Sequence, residues 1–187
     1  MALTALDPQT ALIVVDLQQG IIASQFIYPI AEVIERTLTL VGEFRRNGLP
    51  VALVNVAGRA PGRTEQPRRE QTPSEGWTTL IAELDPQPGD ILVTKRTWCA
   101  FANTDPEAGL KQRGVSQVVV TGVATGTGVE STAHQAFEHG FNVTLAIDAM
   151  TDVRPEAHAY STTDVFPRLG ESGTTQQIID LRAARIA

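Results

Sequence analysis

The chain has 187 residues, 42% apolar and 19% charged, with a formal net charge of -6 and a pI near 5.0. That balance belongs to a globular protein able to build one good core, and it offers a nucleic-acid backbone no broad basic surface. A single cysteine, Cys99, excludes an internal disulfide, and the apolar runs have strand length, far short of the ~20 residues that span a bilayer. The expectation is one domain over residues 1–187, cytoplasmic because MALTALDPQT lacks the basic stretch and apolar core of a signal peptide, with neither nucleic acid nor membrane as a partner.

In chain order, ALIVVD (11–16) is the first buried-strand candidate, nearly continuous in branched apolar residues. PIAEVIERTLTLVGEFRRNG follows with a helical pattern that Gly48 ends, and VALVNV (51–56) gives the second strand. AGRAPGRTEQPRREQTPSE (57–75) then breaks the rhythm: Arg59, Arg63, Arg68 and Arg69 stand among Glu65, Glu70, Glu75 and three prolines. It reads as a long surface loop, either a lid or a solvated connection. WTTLIAEL (77–84) has a short helical pattern, ILVTK (91–95) is the third strand, and DPEAGLKQRG is a helix opened by Asp105 and Pro106 and closed by Gly114. VVVTG (118–122) is the fourth strand, GVESTAHQAFEHG a helix closed by Gly140, and NVTLAID (142–148) the fifth strand. PEAHAYSTTDVF and TTQQIIDLRAARI supply the last helical patterns. Alternating strands and helices predict an α/β fold, a three-layer α/β/α sandwich around a mainly parallel sheet of five or six strands.

Ligands of such sheets bind beyond the carboxyl ends of the strands. Asp16 closes the first strand there, Lys95 closes the third, and Gly122 to Gly128 lead out of the fourth. Either charged residue alone suits a cap or a solvated strand end. Together at one sheet edge, a carboxylate and an ammonium can set each other's proton affinity. The glycine-rich turn opens a helix, so its N–H groups favour an anionic or carbonyl oxygen. No metal is expected: His134 and His139 are five apart, about 140° around a helix, and His158 lies elsewhere.

VVDLQQG around Asp16, VTKRTWCAF around Lys95 and TGVATGTGVESTAHQAFEHGFNVTLAIDAMTD (121–152) resemble, in that order, the motifs of the isochorismatase-like hydrolases, also called cysteine hydrolases. The resemblance implies a Rossmann-like sheet of order 3-2-1-4-5-6, a homodimer or higher homo-oligomer, and a small-molecule substrate. It also implies a cis peptide near Val123 and Ala124; no cofactor is expected. The usual triad there is Asp, Lys and Cys, and the cysteine position is held here by Gly128. A covalent thiol is therefore unavailable at that place. The isochorismatases proper resemble this chain in having glycine there, and they hydrolyse a vinyl ether by general acid chemistry. They carry Tyr-Ala-His where this chain has Ala124, Thr125 and Gly126, which leaves the substrate open.

The candidate catalytic residues are thus Asp16, Lys95 and Gly128, with Phe26, Trp98, Val123, Ala124 and Thr125 as the candidate substrate-binding set. Arginines of the 57–75 loop and Arg96 are candidates for an anionic substrate. Two other readings stay open: a non-catalytic small-molecule binding protein, or an amidase that uses Cys99, which otherwise reads as a small residue of the pocket wall.

Overall fold

The computed structural model describes residues 3–65 and 74–186, so Arg68, Arg69 and Glu70 lie outside the described residues. Six strands form one all-parallel sheet: β1 (Thr10–Val15), β2 (Val51–Val56), β3 (Ile91–Lys95), β4 (Gln117–Val123), β5 (Asn142–Thr151) and β6 (Glu171–Gly173). Their order is β3-β2-β1-β4-β5-β6, as the family resemblance implies.

The continuous apolar runs are explained by two covered faces. In β1, Ile13 and Val15 join one core with Val118, Val120, Ala133, Leu110 and Phe166, while Leu12 and Val14 join the other with Val119, Leu40, Phe44 and Ile178. The helices are α1 (Gln19–Ile22), α2 (Ile30–Arg46), α3 (Pro106–Gln112), α4 (Glu130–Glu138), α5 (Pro155–Tyr160), α6 (Phe166–Leu169) and α7 (Thr175–Ile186). The second core seats α2 and α7; the first seats α3, α4 and α6. In α2 the buried set Val33, Thr37, Leu40, Val41 and Phe44 follows the helical period, with Leu40 and Phe44 contributing ~1.5–3 kcal/mol each by burial.

Two sequence expectations need correction. WTTLIAEL is not a helix: it is a turn, an isolated bridge between Leu80 and Gln18, and a single 3₁₀ turn at Ala82–Leu84. Its Ile81 and Leu84 are buried, so the apolar spacing records burial of an irregular segment. The fifth strand does not stop at Asp148 but runs to Thr151, because β5 carries an irregularity: Leu145 pairs with Val120, yet Met150 pairs with Gly122. The extra length delivers Thr151 and Asp152 to the sheet edge beside Val123. The sixth strand, ESG, is too short to have a readable pattern.

Candidate active site

Val15 of β1 pairs with Gly122 of β4, so the ends of the two central strands meet. Beyond Val15 the chain turns at Asp16, which has a left-handed φ of 54° and is held by Asp16 N donating to Val54 O at 2.9 Å. Lys95 ends β3, two strands away, and its long side chain crosses the end of β2 to bring Nζ within 2.8 Å of Asp16 Oδ2. Nζ also donates to Trp98 O at 2.5 Å. Lys95 is completely buried and Asp16 is 7% exposed. Burial pushes the Asp16 carboxyl from its ordinary 3.8 to about 6, against the pull of Lys95's charge and hydrogen bond. Asp16 Oδ1 is buried without a hydrogen-bond partner.

Gly128 faces this pair. A Cβ built there would lie 3.1 Å from Asp16 Oδ2, 3.1 Å from Val123 O and 3.0 Å from Val15 Cγ1. The peptide between Val123 and Ala124 is cis, and Thr125–Val129 form one wide helical turn that leads into α4. Gly122 has a φ of 109° and sits against β1, where a Cβ would meet Val15 O at 2.1 Å, so only glycine permits the two strand ends to close.

A cavity of about 290 Å³ opens over Asp16, Lys95 and Gly128, and Phe26, Trp98, Val123 and Ala124 line it. Seven of the eight residues singled out in the sequence are therefore brought together. Thr125 is not among them: its side chain is buried behind the turn, where its hydroxyl meets His158 Nδ1 at 2.9 Å. Thr127 lines the cavity in its place. Arg96 is also absent from the lining; its side-chain stem packs near Gly58. Cys99 is buried and lines a neighbouring groove rather than this cavity. Burial pushes its thiol up, away from the reactive thiolate. Among the described residues no group of three or more His, Cys, Asp and Glu side chains gathers as a metal site. His134 bonds Glu130 O and His139 pairs with Glu107.

Several supporting residues escaped the sequence reading. The fully buried Gln18 donates from Nε2 to Val56 O and Trp77 O and accepts Val56 N at 2.7 Å, tying the end of β2 to the 77–80 segment that walls the cavity with Trp77. Asp152, 2% exposed, accepts Gly126 N at 2.8 Å on Oδ2 and Arg154 N at 3.0 Å on Oδ1. Its carbonyl accepts Ile27 N, and Thr151 Oγ1 accepts Tyr28 N, so the end of β5 fixes both the glycine turn and the strand of chain carrying Phe26. Burial holds the His158 imidazole below its ordinary value, against the charge of Asp152. Gln18 and Asp152 fall within the stretches that carry the resemblance, VVDLQQG and 121–152, but nothing in the local pattern sets them apart from other polar residues beyond strand ends.

Comparison with known proteins matches residues 10–177 to the isochorismatase domain. The chain is 36% identical over 180 residues to an uncharacterized isochorismatase family protein of Bacillus subtilis (YwoC), covering 92% of this chain and 93% of that one. It is 35% identical over 129 residues to a ureidoacrylate amidohydrolase (RutB) of Variovorax paradoxus, covering 61% of this chain and 50% of that protein. The solved structure of an isochorismatase family protein from Burkholderia thailandensis superposes with a TM-score of 0.90 at 33% identity, over 95% of this chain and 98% of that one. The chain belongs to the isochorismatase family, whose members are hydrolases.

Proposed function

We propose that this chain is a cytoplasmic hydrolase of a small, anionic substrate that works without a thiol, with Asp16 as general acid and base. The observation that carries the reading is a carboxyl raised to about 6, half of it unpartnered, facing a glycine where the resemblance expects the nucleophilic cysteine. Vinyl-ether hydrolysis suits such a group. Asp16 in its acid form gives its proton to the enol-ether carbon, leaving an oxocarbenium ion and a carboxylate that Lys95 stabilises. Water then adds to the cation and returns a proton to Asp16, and the hemiketal breaks down to a carbonyl compound and an alcohol. Val123 and Ala124 shape the wall beside Gly128, while Phe26 and Trp98 hold a flat, apolar part of the substrate.

Buried, raised in pKa and outside the cavity, Cys99 is poorly disposed to replace the missing thiol, which weighs against an amidase reading. A buried carboxylate–ammonium pair is costly to maintain and has no evident use in a pure binding site, which weighs against the non-catalytic reading. The test is turnover of a panel of vinyl ethers, amides and esters read by mass spectrometry. Asp16→Asn should lower turnover of the active class by ~10²–10⁴-fold and Cys99→Ser by no more than a few-fold. Loss in Cys99→Ser with retention in Asp16→Asn would transfer the chemistry to the thiol. Binding without turnover of any class would leave a ligand-binding protein.

A further inference from the structure

The cavity over Asp16 adjoins a larger groove of about 1240 Å³, with Thr97, Trp98 and Thr127 common to both walls. The two spaces differ in charge. In the cavity the charged side chains are Asp16 and Lys95, and they are engaged with each other. Phe26, Trp77, Trp98 and Val123 make much of the remaining wall apolar. A substrate carboxylate placed there would lose its hydration, face Asp16, and meet a cation whose charge is already balanced. The groove instead carries Arg59, Arg63 and Arg154 against Glu65, with the hydrogen-bonding side chains of Ser131 and Gln135 along α4. Arg36, Arg45 and Arg46 are each paired with a carboxylate, whereas among the described residues no ion pair engages Arg63 or Arg154. Size points the same way, since the cavity's 290 Å³ falls just short of the ~300–1,000 Å³ that hold a drug-sized ligand.

We infer that the substrate has two parts: an uncharged, flat head that carries the scissile bond into the cavity, and an anionic tail that passes Trp98 and is held in the groove by Arg63 and Arg154. The inference rests on the Asp16 chemistry only for which end reacts; where the charge binds is independent of turnover. Trp98, 67% exposed at the junction, offers an aromatic face to the link between head and tail. Guanidinium groups fork onto a carboxylate or a phosphate alike, so the shared chemistry is a terminal oxyanion.

Trp77 and Trp98 are the chain's two tryptophans and both line the cavity, so intrinsic fluorescence reports its occupancy. The full chain is titrated with phenylalkanoates of increasing length, from benzoate to 6-phenylhexanoate, with their primary amides, and with the phosphonates of the longer members. Benzoate should bind no better than benzamide, whereas the longer acids should outbind their amides by about tenfold, the worth of one charge-assisted hydrogen bond of ~1.5 kcal/mol. Arg154→Ala and Arg63→Ala should remove that advantage and leave amide affinity unchanged, and added salt should erode it. Phosphonates keeping the advantage would extend the tail to phosphate; losing it would restrict the tail to carboxylate, both within the inference. Acids and amides binding alike at every length, benzoate binding best, no quenching by any probe, or equal losses for acid and amide in the arginine variants would each overturn it. A carboxylate advantage that persists when Asp16→Asn leaves turnover intact would sink the acid chemistry and keep the two-part substrate.

Discussion

Replacing Lys95 with methionine should raise the Asp16 carboxyl further, not return it to the value of a solvated aspartate. In the native protein burial lifts that group from 3.8 to about 6, while the charge and hydrogen bond of Lys95 pull it down. Methionine keeps much of the length and the apolar stem but removes the ammonium, so the desolvation is left unopposed. At ~1.36 kcal/mol per pH unit, the native rise already amounts to about 3 kcal/mol against the ionised form, an order-of-magnitude figure for a group 7% exposed. The folded-state value lies above the unfolded one, so between pH 3.8 and about 6 the native chain keeps a proton that the unfolded chain has released. Stability from Asp16 is therefore full below pH 3.8 and is lost, by about 3 kcal/mol in all, as the pH rises through 6. The assay is the ¹³Cγ shift of Asp16 in labelled protein across that range, wild type beside Lys95→Met, with kcat/KM of any identified substrate falling about tenfold per pH unit above the same midpoint. A native midpoint near 4, or a Lys95→Met midpoint lower than the native one, would refute the claim that burial dominates this carboxyl.

Gly122→Ala should destabilise the fold by more than ~3 kcal/mol in a denaturant titration, because the new Cβ would sit 2.1 Å from Val15 O at a φ of 109°. Gly128→Cys should fold, since the Cβ contacts of 3.0–3.1 Å ask neighbours to give only slightly; its thiol, beside Lys95, should be alkylated by iodoacetamide much faster than buried Cys99. Asp152→Ala leaves the N–H groups of Gly126 and Arg154 without their acceptor and should cost ~1–3 kcal/mol, with a larger loss in kcat than Asp152→Asn, which retains one acceptor oxygen. Assembly into a homodimer or larger oligomer is expected from the family; light scattering that gives a 20.1 kDa species at micromolar concentration would contradict it.

The parts legible in the sequence are those written in short-range pattern. ALIVVD and VVVTG announce strands covered on both faces because a parallel sheet leaves no polar side, and Gly48, Gly114 and Gly140 mark helix ends with φ values of 66°, 71° and 81°. Strand order was not readable from pattern and came through the resemblance, whereas the gathering of Asp16 and Lys95 at one sheet edge followed from their places at strand ends. WTTLIAEL misled because its apolar spacing follows the burial of a turn pinned by Gln18, a long-range contact that local periodicity cannot express. Thr125 misled for a related reason. It belongs to the turn by sequence, but the wide helical turn rotates it away from the cavity towards His158 and presents Thr127 instead. Asp152 was invisible because its importance depends on the irregularity in β5 that carries it to the sheet edge.

On the proposed reading, glycine at 128, where the resemblance expects a cysteine, does not leave an empty nucleophile's seat. The turn lies close enough to β1 that a Cβ at Gly128 would press on Val15, Val123 and Asp16 together, so the space a sulfur would need is partly taken up by the neighbours of the acid. Burial is the largest cause of the raised Asp16 pKa, and on this reading the close turn is part of what excludes water from the carboxyl. A thiol enzyme needs a site that favours an anion on sulfur; an acid enzyme needs one that disfavours the anion on Asp16. Glycine at 128 moves the same scaffold from the first requirement towards the second, while the pair of Asp16 and Lys95 serves either chemistry. Gly128→Ala, which adds bulk without a second ionisable group, tests this: if the methyl pries the turn from β1 and admits water, the Asp16 midpoint should fall from about 6. An unchanged midpoint in that variant would show that the glycine does not set the acidity of Asp16, and that burial there comes from the rest of the cavity wall.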